Sequence, residues 1–508
     1  MKWYQLDKKN IINYLLLSML SLLYIFPIIL INLYFKDDQG WSLRGSIGLK
    51  GDGRPLGEYL VLALCGGGPV TDTAPLPLIL AVLFLSYTLI LYAKTNLDFI
   101  SNRYALLTVL LFIIGNPFAL ECLSYRYGSM VMFAALGIPF LIFSIPDTVS
   151  KAKMFIYSSL LSMALMSLYQ AALGMCLILF IINVFFVLFQ QKRVSYAHEG
   201  LRIFGIGGGA VVYKLVIANH YVSHSDWRHA ASQTLELKPE SIMLIFQNIF
   251  ATCRYIAEFL SETALWYRMI LALFIILILT LSVVLHCRKE ENRGWRRAVD
   301  IAFLLLSPFC VLISSFLPLM LLKQQTLKLR IFIALGGFLF YLGILLLHFA
   351  KKKPVLMRPL LWLLILCNLY HYTNIYSYGN AVNNNNEYAK YIVYHVAHDL
   401  ETINADGDFS CVSFIGKMPV SQRTQMFRDK YPLTGALLPE YFTNDGWIGG
   451  AYVLHYLQDD LTIEKDTDAD REIVASAVPV MANSLYSCYV NGDKIIIAFH
   501  EADINSPQ

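Results

Sequence analysis

The sequence predicts an α-helical membrane protein with many spans, followed by a small α/β domain at the C-terminus. Of its 508 residues, 57% are hydrophobic and only 15% are charged, and the mean hydropathy is +0.54. These values lie well outside ordinary globular usage. Apolar runs long enough to cross a hydrocarbon core of about 30 Å recur along the first three quarters of the chain, whereas the sequence after residue 383 is polar and charged.

The apolar runs predict about eleven spans. Their limits are 11–35, 75–93, 104–118, 129–147, 153–169, 171–190, 203–219, 264–287, 299–321, 330–350 and 356–376. The first run follows Met1–Asn10 directly and lacks a small-residue cleavage site, so we expect a span there rather than a removable signal peptide. Two other segments, Gly57–Leu64 and 240–260, are predicted to be helices lying at the outer membrane–water interface.

Clusters of basic residues orient the predicted spans. If the N-terminus with Lys2, Lys8 and Lys9 is cytoplasmic, alternation of the spans puts the later basic clusters on the same side. Those clusters are Lys192 with Arg193, Arg288 to Arg297, and Lys351 to Lys353. We therefore predict a multi-pass protein of the bacterial inner membrane with these parts in the periplasm: 36–74, 119–128, 220–263, 322–329 and everything after about 377. The net charge of +4 is too small to indicate nucleic acid as a partner.

The polar C-terminal region predicts a separate domain. We expect residues 1–380 to form the polytopic catalytic domain and residues 381–508 to form a soluble periplasmic α/β domain. A run of four asparagines, Asn383 to Asn386, leads into a predicted helix. Within Ser487–Phe499, Asn491-Gly492 separates two β-prone runs, which predicts a hairpin with a type I′ turn.

The nine cysteines are scattered without C-x-x-C spacing, so neither a zinc site nor a disulfide scaffold is indicated. Cys411 and Cys488 share the soluble region. They form a disulfide if that region is oxidising, or they are two unrelated thiols, and the sequence leaves both alternatives open.

The loop after the first predicted span contains several charges. It begins with the adjacent carboxylates Asp37-Asp38, continues to Trp41, and then carries Gly53-Arg54-Pro55. Charges at a membrane boundary are easily solvated, so one interpretation is a polar cap that stops the helix. In the other interpretation, one carboxylate acts as a general base while its neighbour raises its pKa or binds a divalent cation. We do not favour the cation, and we expect no cofactor.

Basic residues on the same predicted face outline a pocket for phosphate. The candidates to bind it are Arg54, Arg126, Lys214, Lys323 and Arg330. Lys214 lies in an otherwise apolar run, where a cation is costly and usually faces a cavity. The alternative is that these side chains snorkel to lipid phosphates. A guanidinium binds phosphate oxygens in a bidentate fork, which favours the arginines over the lysines.

Two other patterns are discounted. Gly205-Ile206-Gly207-Gly208-Gly209 is similar to a nucleotide-binding loop, but it lies inside an apolar run, where small residues more often allow close helix packing. A second set has spacings that could hold a metal but no helical pattern to align its members: His220, His224, Asp226 and His229. We therefore predict neither a nucleotide site nor a metal site.

In their order along the chain, these motifs resemble the bacterial and phage-encoded O-antigen glucosyltransferases of the serotype-converting type, which are integral membrane enzymes similar to the GT-C class. The resemblance covers most of the chain and is carried by these residues: Asp37-Asp38, Gly53-Arg54-Pro55, Asn116-Pro117, Glu121, Ser124-Tyr125-Arg126, Tyr169-Gln170 and the polar C-terminal region. Members of that family often have an acidic residue just after the Tyr-Arg-aromatic stretch. This chain has Gly128-Ser129 there and offers no carboxylate at that point.

The resemblance implies an inverting transfer of glucose from undecaprenyl-phosphate glucose to a hydroxyl of the lipopolysaccharide O-antigen, on the periplasmic side. Asp37 or Asp38 would deprotonate that hydroxyl, and the basic residues above would stabilise the leaving phosphate. The candidates to contact the sugar and the acceptor are Trp41, Glu121, Tyr125, Tyr127 and Gln170. The aromatic residues among them would look no different as interfacial anchors.

Two other functions remain open from the sequence. A flippase or transporter of lipid-linked sugar would need charges along a path through the bilayer, whereas here they cluster at one face and Lys214 is the notable cation within a span. An O-antigen polymerase or ligase would take a lipid-linked oligosaccharide through a pyrophosphate and would use arginines in a large loop late in the bundle. The largest soluble piece of this chain is instead terminal.

Overall fold

The structure is a computed structural model, and it describes residues 4–188, 196–222, 233–235, 238–287, 295–351, 354–442, 447–454, 456 and 461–500. The chain divides into two compact units. The first consists of Met1–Ile29, Ile47–Gly67 and Thr73–Ile375, and the second of Leu30–Ser46, Gly68–Asp72 and Tyr376–Gln508. Two short N-terminal segments therefore belong to the same unit as the C-terminal region.

Helices make up the first unit. In chain order its α-helices are Lys8–Ile31, Pro55–Leu64, Leu76–Asn96, Arg103–Ile114, Leu120–Ser124, Gly128–Ser144, Lys151–Leu168, Leu173–Leu188, Tyr196–Val212, Asn219–Tyr221, Pro239–Ser261, Leu265–Cys287, Trp295–Ser314, Leu317–Met320, Gly336–Lys351 and the first part of Pro354–Ile403. Short helices of other types lie between these α-helices. They are the 3₁₀ helices Pro117–Ala119, Gln170–Ala172 and Leu329–Leu335 and the π-helix Tyr213–Ala218. Each of these four short helices carries a residue of the motifs singled out above.

Several helices have the length and composition of membrane spans. Within the described residues, eight segments are long and apolar enough to cross a membrane: Lys8–Ile31, Leu76–Asn96, Arg103–Ser124, Gln170–Val187, Ala197–Tyr221, Leu265–Val284, Leu329–Lys351 and Val355–Ile403. The predicted count of eleven is not confirmed. The predicted spans at 129–147 and 299–321 form the shorter apolar helices Gly128–Ser144 and Ala298–Ser314.

The remaining predicted span, 153–169, forms helix Lys151–Leu168, which is not among the eight. Its buried face contains serines, and it packs closely along helix Tyr196–Val212. The close approach depends on glycine: a Cβ at Gly205 would lie 2.8 Å from the carbonyl oxygen of Phe155, and one at Gly209 would overlap the carbonyl of Ser159. The prediction that these glycines allow close helix packing is confirmed.

A five-stranded sheet forms the centre of the C-terminal part of the second unit. Its strands are β1 (Cys411–Ile415), β2 (Thr462–Ile463), β3 (Met481–Ala482), β4 (Tyr486–Asn491) and β5 (Lys494–Phe499). The order is β2-β1-β5-β4-β3, with β1 parallel to both β2 and β5, and β4 antiparallel to both β5 and β3. The helices of this unit are Asp37–Arg44, the second part of Pro354–Ile403, Gln422–Lys430, Pro432–Gly435, Trp447–Leu454 and Asp468–Ser476. The small C-terminal α/β domain predicted from composition is therefore present.

Helix Pro354–Ile403 is 50 residues long. Its second half buries apolar side chains at helical spacing, among them Ile392, Val396 and Leu400. They join Phe414 of the sheet in one core cluster. This burial removes one face of the helix from water, which explains why a helix can continue far beyond the length that a bilayer requires.

The run of asparagines lies inside this helix, although the sequence suggested that the chain changes character there. Asn385 and Asn386 are buried. The side-chain amide of Asn385 donates to the carbonyl of Pro439 at 2.9 Å, and the side-chain oxygen of Asn386 accepts from the hydroxyl of Tyr441 at 2.9 Å. These asparagines therefore bind the helix to the following chain.

The predicted hairpin near the C-terminus is confirmed, but its turn is shifted by one residue. Asn491 pairs with Lys494 across the two strands, so the two loop residues are Gly492 and Asp493. Gly492 has a φ of 62° and Asp493 has no positive φ. A positive φ at the first loop position alone fits a type II′ turn rather than the predicted type I′ turn.

Cys411 and Cys488 are both buried free thiols. Cys411 lies on β1 and Cys488 on β4, and β5 runs between these strands. Strands two places apart are separated by roughly 9–10 Å, which exceeds the Cα separation that a disulfide spans. Of the two alternatives that the sequence left open, the structure therefore favours unrelated thiols.

A buried ionic network ties the last helix to the hairpin. Asp470 is fully buried, and its carboxylate accepts from the backbone N–H of Thr467 at 2.9 Å and from the side chain of Asn491 at 2.8 Å. Lys494 lies 3.3 Å from Asp470 and 2.9 Å from Glu464. Burial opposes ionisation of Asp470, but the hydrogen bonds and the Lys494 charge outweigh it and lower the pKa of the carboxyl. The hydrogen bond to Glu464 raises the pKa of Lys494.

Candidate active site

The acidic pair Asp37-Asp38 opens helix Asp37–Arg44 of the second unit. Carboxylates are stabilised at a helix N-terminus by the positive end of the helix dipole. The side chain of Asp38 is fully buried, and its Oδ2 accepts a hydrogen bond from the backbone N–H of Phe35 at 3.1 Å. Asp37 is half-buried. The two carboxylates therefore differ in accessibility. Asp38 is buried and binds the backbone just before the helix, whereas Asp37 is partly open to solvent.

The backbone before the pair is strained. Lys36 has a φ of 48° and a ψ of −110°, a conformation that costs a non-glycine residue roughly 1–3 kcal/mol and that is concentrated at functional sites. Trp41 follows Asp37 by four residues, and residues at this spacing share one face of a helix. The predicted catalytic carboxylate and the predicted sugar-stacking ring therefore lie on the same helix face.

In the first unit, Arg330 is held by several buried side chains. Its backbone N–H donates to Oε2 of Glu121 at 2.8 Å, while its carbonyl accepts from the hydroxyl of Tyr169 at 3.0 Å and from the thiol of Cys122 at 3.4 Å. Its guanidinium donates to the hydroxyl of Tyr125 and lies 5.4 Å from the centroid of that ring. Because Glu121, Tyr125 and Tyr169 are buried, they fix Arg330, whose own side chain is half-buried.

Arg54 reaches the same tyrosine from the first loop. Its guanidinium lies 4.8 Å from the centroid of the Tyr169 ring, and its Nε donates to Oε1 of Gln170 at 3.4 Å. The amide of Gln170 donates in turn to the hydroxyl of Tyr213 at 2.8 Å. That hydroxyl donates to the carbonyl of Gly53 at 2.6 Å. This closed ring of contacts fixes the direction of Arg54.

The turn that carries Glu121 and Tyr125 is built by Asn116-Pro117. The side-chain amide of Asn116 donates to the carbonyls of Phe112 at 3.3 Å and Ile113 at 3.0 Å. These carbonyls belong to the last turn of a helix, where they have no partner in the helix itself. Pro117 then starts a 3₁₀ turn, a position where its missing N–H is tolerated. The Asn-Pro pair thus ends one helix and sets the start of the next.

The structure joins five of the predicted site residues into one contact network around Tyr169: Arg54, Glu121, Tyr125, Gln170 and Arg330. Arg126 is half-buried and Tyr127 is buried, next to Tyr125 in the chain. Lys214 is exposed, and its Nζ donates to the hydroxyl of Thr234 at 2.6 Å. Lys323 is also exposed, with its backbone N–H donating to the carbonyl of Gln233. Of the predicted phosphate ligands, Arg54 and Arg330 both contact Tyr169, and the phosphate-binding role of the set stays a prediction.

Three residues of the network have no role predicted from the sequence. Tyr169 stands in one of the motifs, where its type alone assigns it no function. Cys122 is buried beside Glu121 and contacts the carbonyl of Arg330. Tyr213 is buried at the first position of a π-helix, a rare element that is frequent at functional sites. The sequence signal nearest to Tyr213 was the next residue, Lys214, which stood out as a cation in an apolar run.

The described residues contain no group of three or more His, Cys, Asp or Glu side chains that could hold a metal. Three of the residues with metal-like spacing, His224, Asp226 and His229, lie outside the described residues. The expectations that the protein needs no metal and no cofactor stay predictions.

Comparison with known proteins identifies the family. A family model described as glucosyl transferase GtrII matches residues 26–347, well over half of the chain. The chain belongs to the GtrII glucosyltransferase family. It is also 26% identical over 488 residues to a Salmonella phage P22 protein described as an uncharacterized 55.3 kDa protein in the gtrB 5′ region, and the match covers 95% of this chain and 97% of the phage protein. No solved structure matches the chain.

Membership of the GtrII family confirms the resemblance drawn from the motifs and identifies the chain as a glycosyltransferase. The matched range contains every predicted site residue, from Asp37 to Arg330. In the first unit the guanidinium of Arg54 lies over the buried ring of Tyr169, whose hydroxyl donates to the backbone carbonyl of Arg330, and the guanidinium of Arg330 is held by Tyr125. Fixed guanidinium groups bind phosphate oxygens with little loss of side-chain entropy. In the second unit the chain supplies a half-buried carboxylate, Asp37.

Proposed function

We propose that this GtrII family member is an inverting glucosyltransferase that moves glucose from undecaprenyl-phosphate glucose to the O-antigen of lipopolysaccharide, at the periplasmic face of the bacterial inner membrane. The observation that carries the proposal is that two arginines of one contact network have side chains held by tyrosines, Arg54 over the ring of Tyr169 and Arg330 at the hydroxyl and ring of Tyr125, while the Tyr169 hydroxyl donates to the backbone carbonyl of Arg330. A transferase with a phosphate leaving group needs cations that are in place before the bond breaks, because preorganised charge lowers the barrier without reorganisation.

We assign the binding of the donor phosphate to residues of the first unit. Arg54 and Arg330 bind its oxygens, and Tyr125, Glu121 and Gln170 position these arginines through the contacts given above. The exposed cations Lys214 and Lys323, together with Arg126, are assigned a weaker role in attracting the anionic donor. The leaving group departs as a stable phosphate anion, so the reaction needs no general acid, and the two guanidinium groups take the place of a metal ion.

We assign to Asp37 the removal of the proton from the acceptor hydroxyl. The acceptor oxygen attacks C1 of glucose as Asp37 removes its proton, the bond between C1 and the phosphate oxygen breaks, and undecaprenyl phosphate leaves. A single displacement of this kind inverts the anomeric centre. Asp37 is preferred over Asp38 because the Asp38 side chain is fully buried and occupied by the N–H of Phe35. Trp41, on the same helix face as Asp37, and Tyr127 are assigned to the sugar rings.

The experiment uses the full-length protein in lipid nanodiscs, with undecaprenyl-phosphate glucose as donor and glucose-free O-polysaccharide as acceptor. We expect glucose transfer from this donor and none from UDP-glucose. The new linkage should have the anomeric configuration opposite to that of the donor by NMR, and chelation by EDTA should leave the rate unchanged. Transfer from UDP-glucose, or retention of configuration, would refute the proposed donor or the single displacement.

The same assay tests the base. Asp37→Asn should lower the transfer rate by roughly 10²- to 10⁴-fold, the usual contribution of a general base. Asp38→Asn keeps an oxygen that accepts from Phe35, so its main effect should be on stability. The matched control is Asp98→Asn, the same chemical change at an exposed carboxylate, which should behave as wild type. Full activity in both Asp37→Asn and Asp38→Asn would rule out the acidic pair as the catalytic centre.

A further inference from the structure

The second unit has an open groove that none of the roles above uses. It lies beside helix Gln422–Lys430 and the short helix Pro432–Gly435 and has a volume of about 510 Å³, within the range of roughly 300–1,000 Å³ found for ligand sites. The two helices approach closely because residue 435 is glycine, since a Cβ there would lie 2.9 Å from the Cα of Arg428. The close packing of these two helices therefore shapes the groove.

Polar side chains line this groove. Gln425, Arg428 and Asp429 lie on one face of the helix, at the i, i+3 and i+4 spacing, and Glu440 contributes from the following chain. Nε2 of Gln425 donates to Oδ1 of Asp429 at 2.7 Å, and Nη2 of Arg428 lies 3.5 Å from Oε1 of Glu440. Pro432 adds a small apolar surface.

These contacts leave hydrogen-bonding capacity in the groove. Within the described part of the chain, Asp429 and Glu440 each use one carboxylate oxygen, and Arg428 uses one of its five N–H donors. Gln425 and Asp429 are exposed. A ligand that both donates and accepts hydrogen bonds therefore has several groups to bind at once.

The charges of the lining narrow the class of ligand. One positive charge, on Arg428, faces two negative charges, on Asp429 and Glu440, so the lining has a formal charge of −1 and repels phosphate and other anions. The apolar side chains of the lining are small, those of Pro432 and Ala436, and they offer no deep apolar pocket for the side chains of a peptide or for an acyl chain. Sugar hydroxyls both donate and accept, and they match carboxylates, an amide and a guanidinium together.

We propose that this groove binds sugar residues of the uncharged polysaccharide that accepts glucose. The proposal rests on the proposed function, because it takes the acceptor to be a polysaccharide. It deepens that function by assigning the acceptor chain a subsite separate from the donor phosphate. The groove and the proposed base Asp37 belong to the same compact unit, so one unit carries both the proton acceptor and the surface for the acceptor chain.

Binding of fluorescently labelled, lipid-free O-polysaccharide with an uncharged repeat tests the proposal, using the full-length protein in nanodiscs without donor. We compare wild type with a double variant, Gln425→Ala with Asp429→Ala, at two exposed positions whose truncation leaves the helix packing intact. Loss of two hydrogen-bonding groups should raise the Kd by about 5- to 150-fold. The control Arg423→Ala removes an exposed charge on the same helix outside the groove and should leave the Kd unchanged.

Transfer kinetics on the same variants separate the two proposals. With the groove variants we expect a higher KM for the polysaccharide, an unchanged kcat and an unchanged KM for the donor. Equal Kd values for wild type and the double variant, or an equal loss in Arg423→Ala, would overturn the groove and leave glucose transfer standing. Normal polysaccharide binding by a wild-type protein that transfers no glucose would overturn the proposed function and leave the groove as a sugar site.

Discussion

The hydroxyl of Tyr125 should be essential for the position of Arg330, and Tyr125→Phe is the change that tests it. This variant removes the hydrogen bond to the guanidinium and keeps the ring that lies 5.4 Å from it. A hydrogen bond to a charged group contributes roughly 1.5–3 kcal/mol. Converted to a rate at 25 °C, the loss in kcat/KM for the donor should be roughly 10- to 150-fold.

A second substitution at the same position separates the hydroxyl from the ring. Tyr125→Leu also removes the cation–π contact, which contributes roughly 0.5–2 kcal/mol. Its kcat/KM should therefore fall by roughly a further 2- to 30-fold below that of Tyr125→Phe. Both losses should appear with the donor, and the KM for the polysaccharide should stay constant because Tyr125 acts through a donor ligand.

The assay follows transfer of labelled glucose by the nanodisc-embedded protein while donor and acceptor are varied separately. Tyr255→Phe is the matched control, since its ring stacks on Phe332 with centroids 5.4 Å apart and its hydroxyl makes no hydrogen bond within the described residues. It should stay within about twofold of wild type, a difference of less than 0.5 kcal/mol. Wild-type kinetics in Tyr125→Phe, or an equal loss in Tyr255→Phe, would refute the role given to Tyr125.

Three further predictions concern the first loop and the C-terminal sheet. Gly53→Ala should lower thermal stability and transfer more than Gly66→Ala, because both glycines have a φ of 73° but only at position 53 would the new Cβ meet an atom, the Tyr213 hydroxyl at 2.7 Å. Melting curves and transfer rates of the two variants measure this, and equal effects would contradict the clash. Acidification below about pH 4 should destabilise the sheet. The folded-state pKa of Asp470 is lowered from its usual value of 3.8, so the stability that its ionised carboxylate contributes is complete above 3.8 and is lost as the pH falls through the folded-state pKa. Hydrogen exchange of β5 against pH checks this, and the profile should flatten in Asp470→Asn. At neutral pH, Lys494→Met should destabilise the same strand by about 3–5 kcal/mol because it leaves Asp470 buried without its cation. Adding Asp470→Asn should recover part of that loss in hydrogen exchange, and the absence of any recovery would argue against the ion pair.

Features that depend on consecutive residues could be predicted from the sequence. The length of an apolar run sets whether a helix can cross the bilayer, and eight of the about eleven spans predicted on this basis correspond to segments of spanning length in the described residues. The hairpin followed from two β-prone runs around Asn491-Gly492. Its turn type did not follow, because β5 also pairs with β1, where Lys494 is opposite Cys411. That second pairing keeps Lys494 in the strand and leaves Gly492 and Asp493 for the loop.

The residue types of the site could be predicted, but their contacts could not. Arginines, a glutamate and aromatic residues in the short segments between apolar runs are unusual enough to be picked out one by one. The contacts that join them connect residues far apart in the chain, since Arg330 is 209 positions from Glu121 and 161 from Tyr169. Local propensity and periodicity carry no information at that separation. For the same reason the sequence did not show that Asp37 belongs to the unit of the C-terminal sheet.

Lys214 and Tyr213 show how a sound physical rule can point to one residue while its neighbour makes the buried contacts. A cation within an apolar helix is costly and usually faces a cavity, which made Lys214 a candidate. In the structure the helix changes to π-helical pitch at Tyr213–Ala218, Lys214 is exposed with its Nζ on the Thr234 hydroxyl at 2.6 Å, and Tyr213 is the buried residue. The extra residue per turn of a π-helix alters which side chains face inward. Tyr213 then joins Gly53 to Gln170, so the network around Arg54 depends on a change of pitch that no periodicity of 3.6 residues would predict.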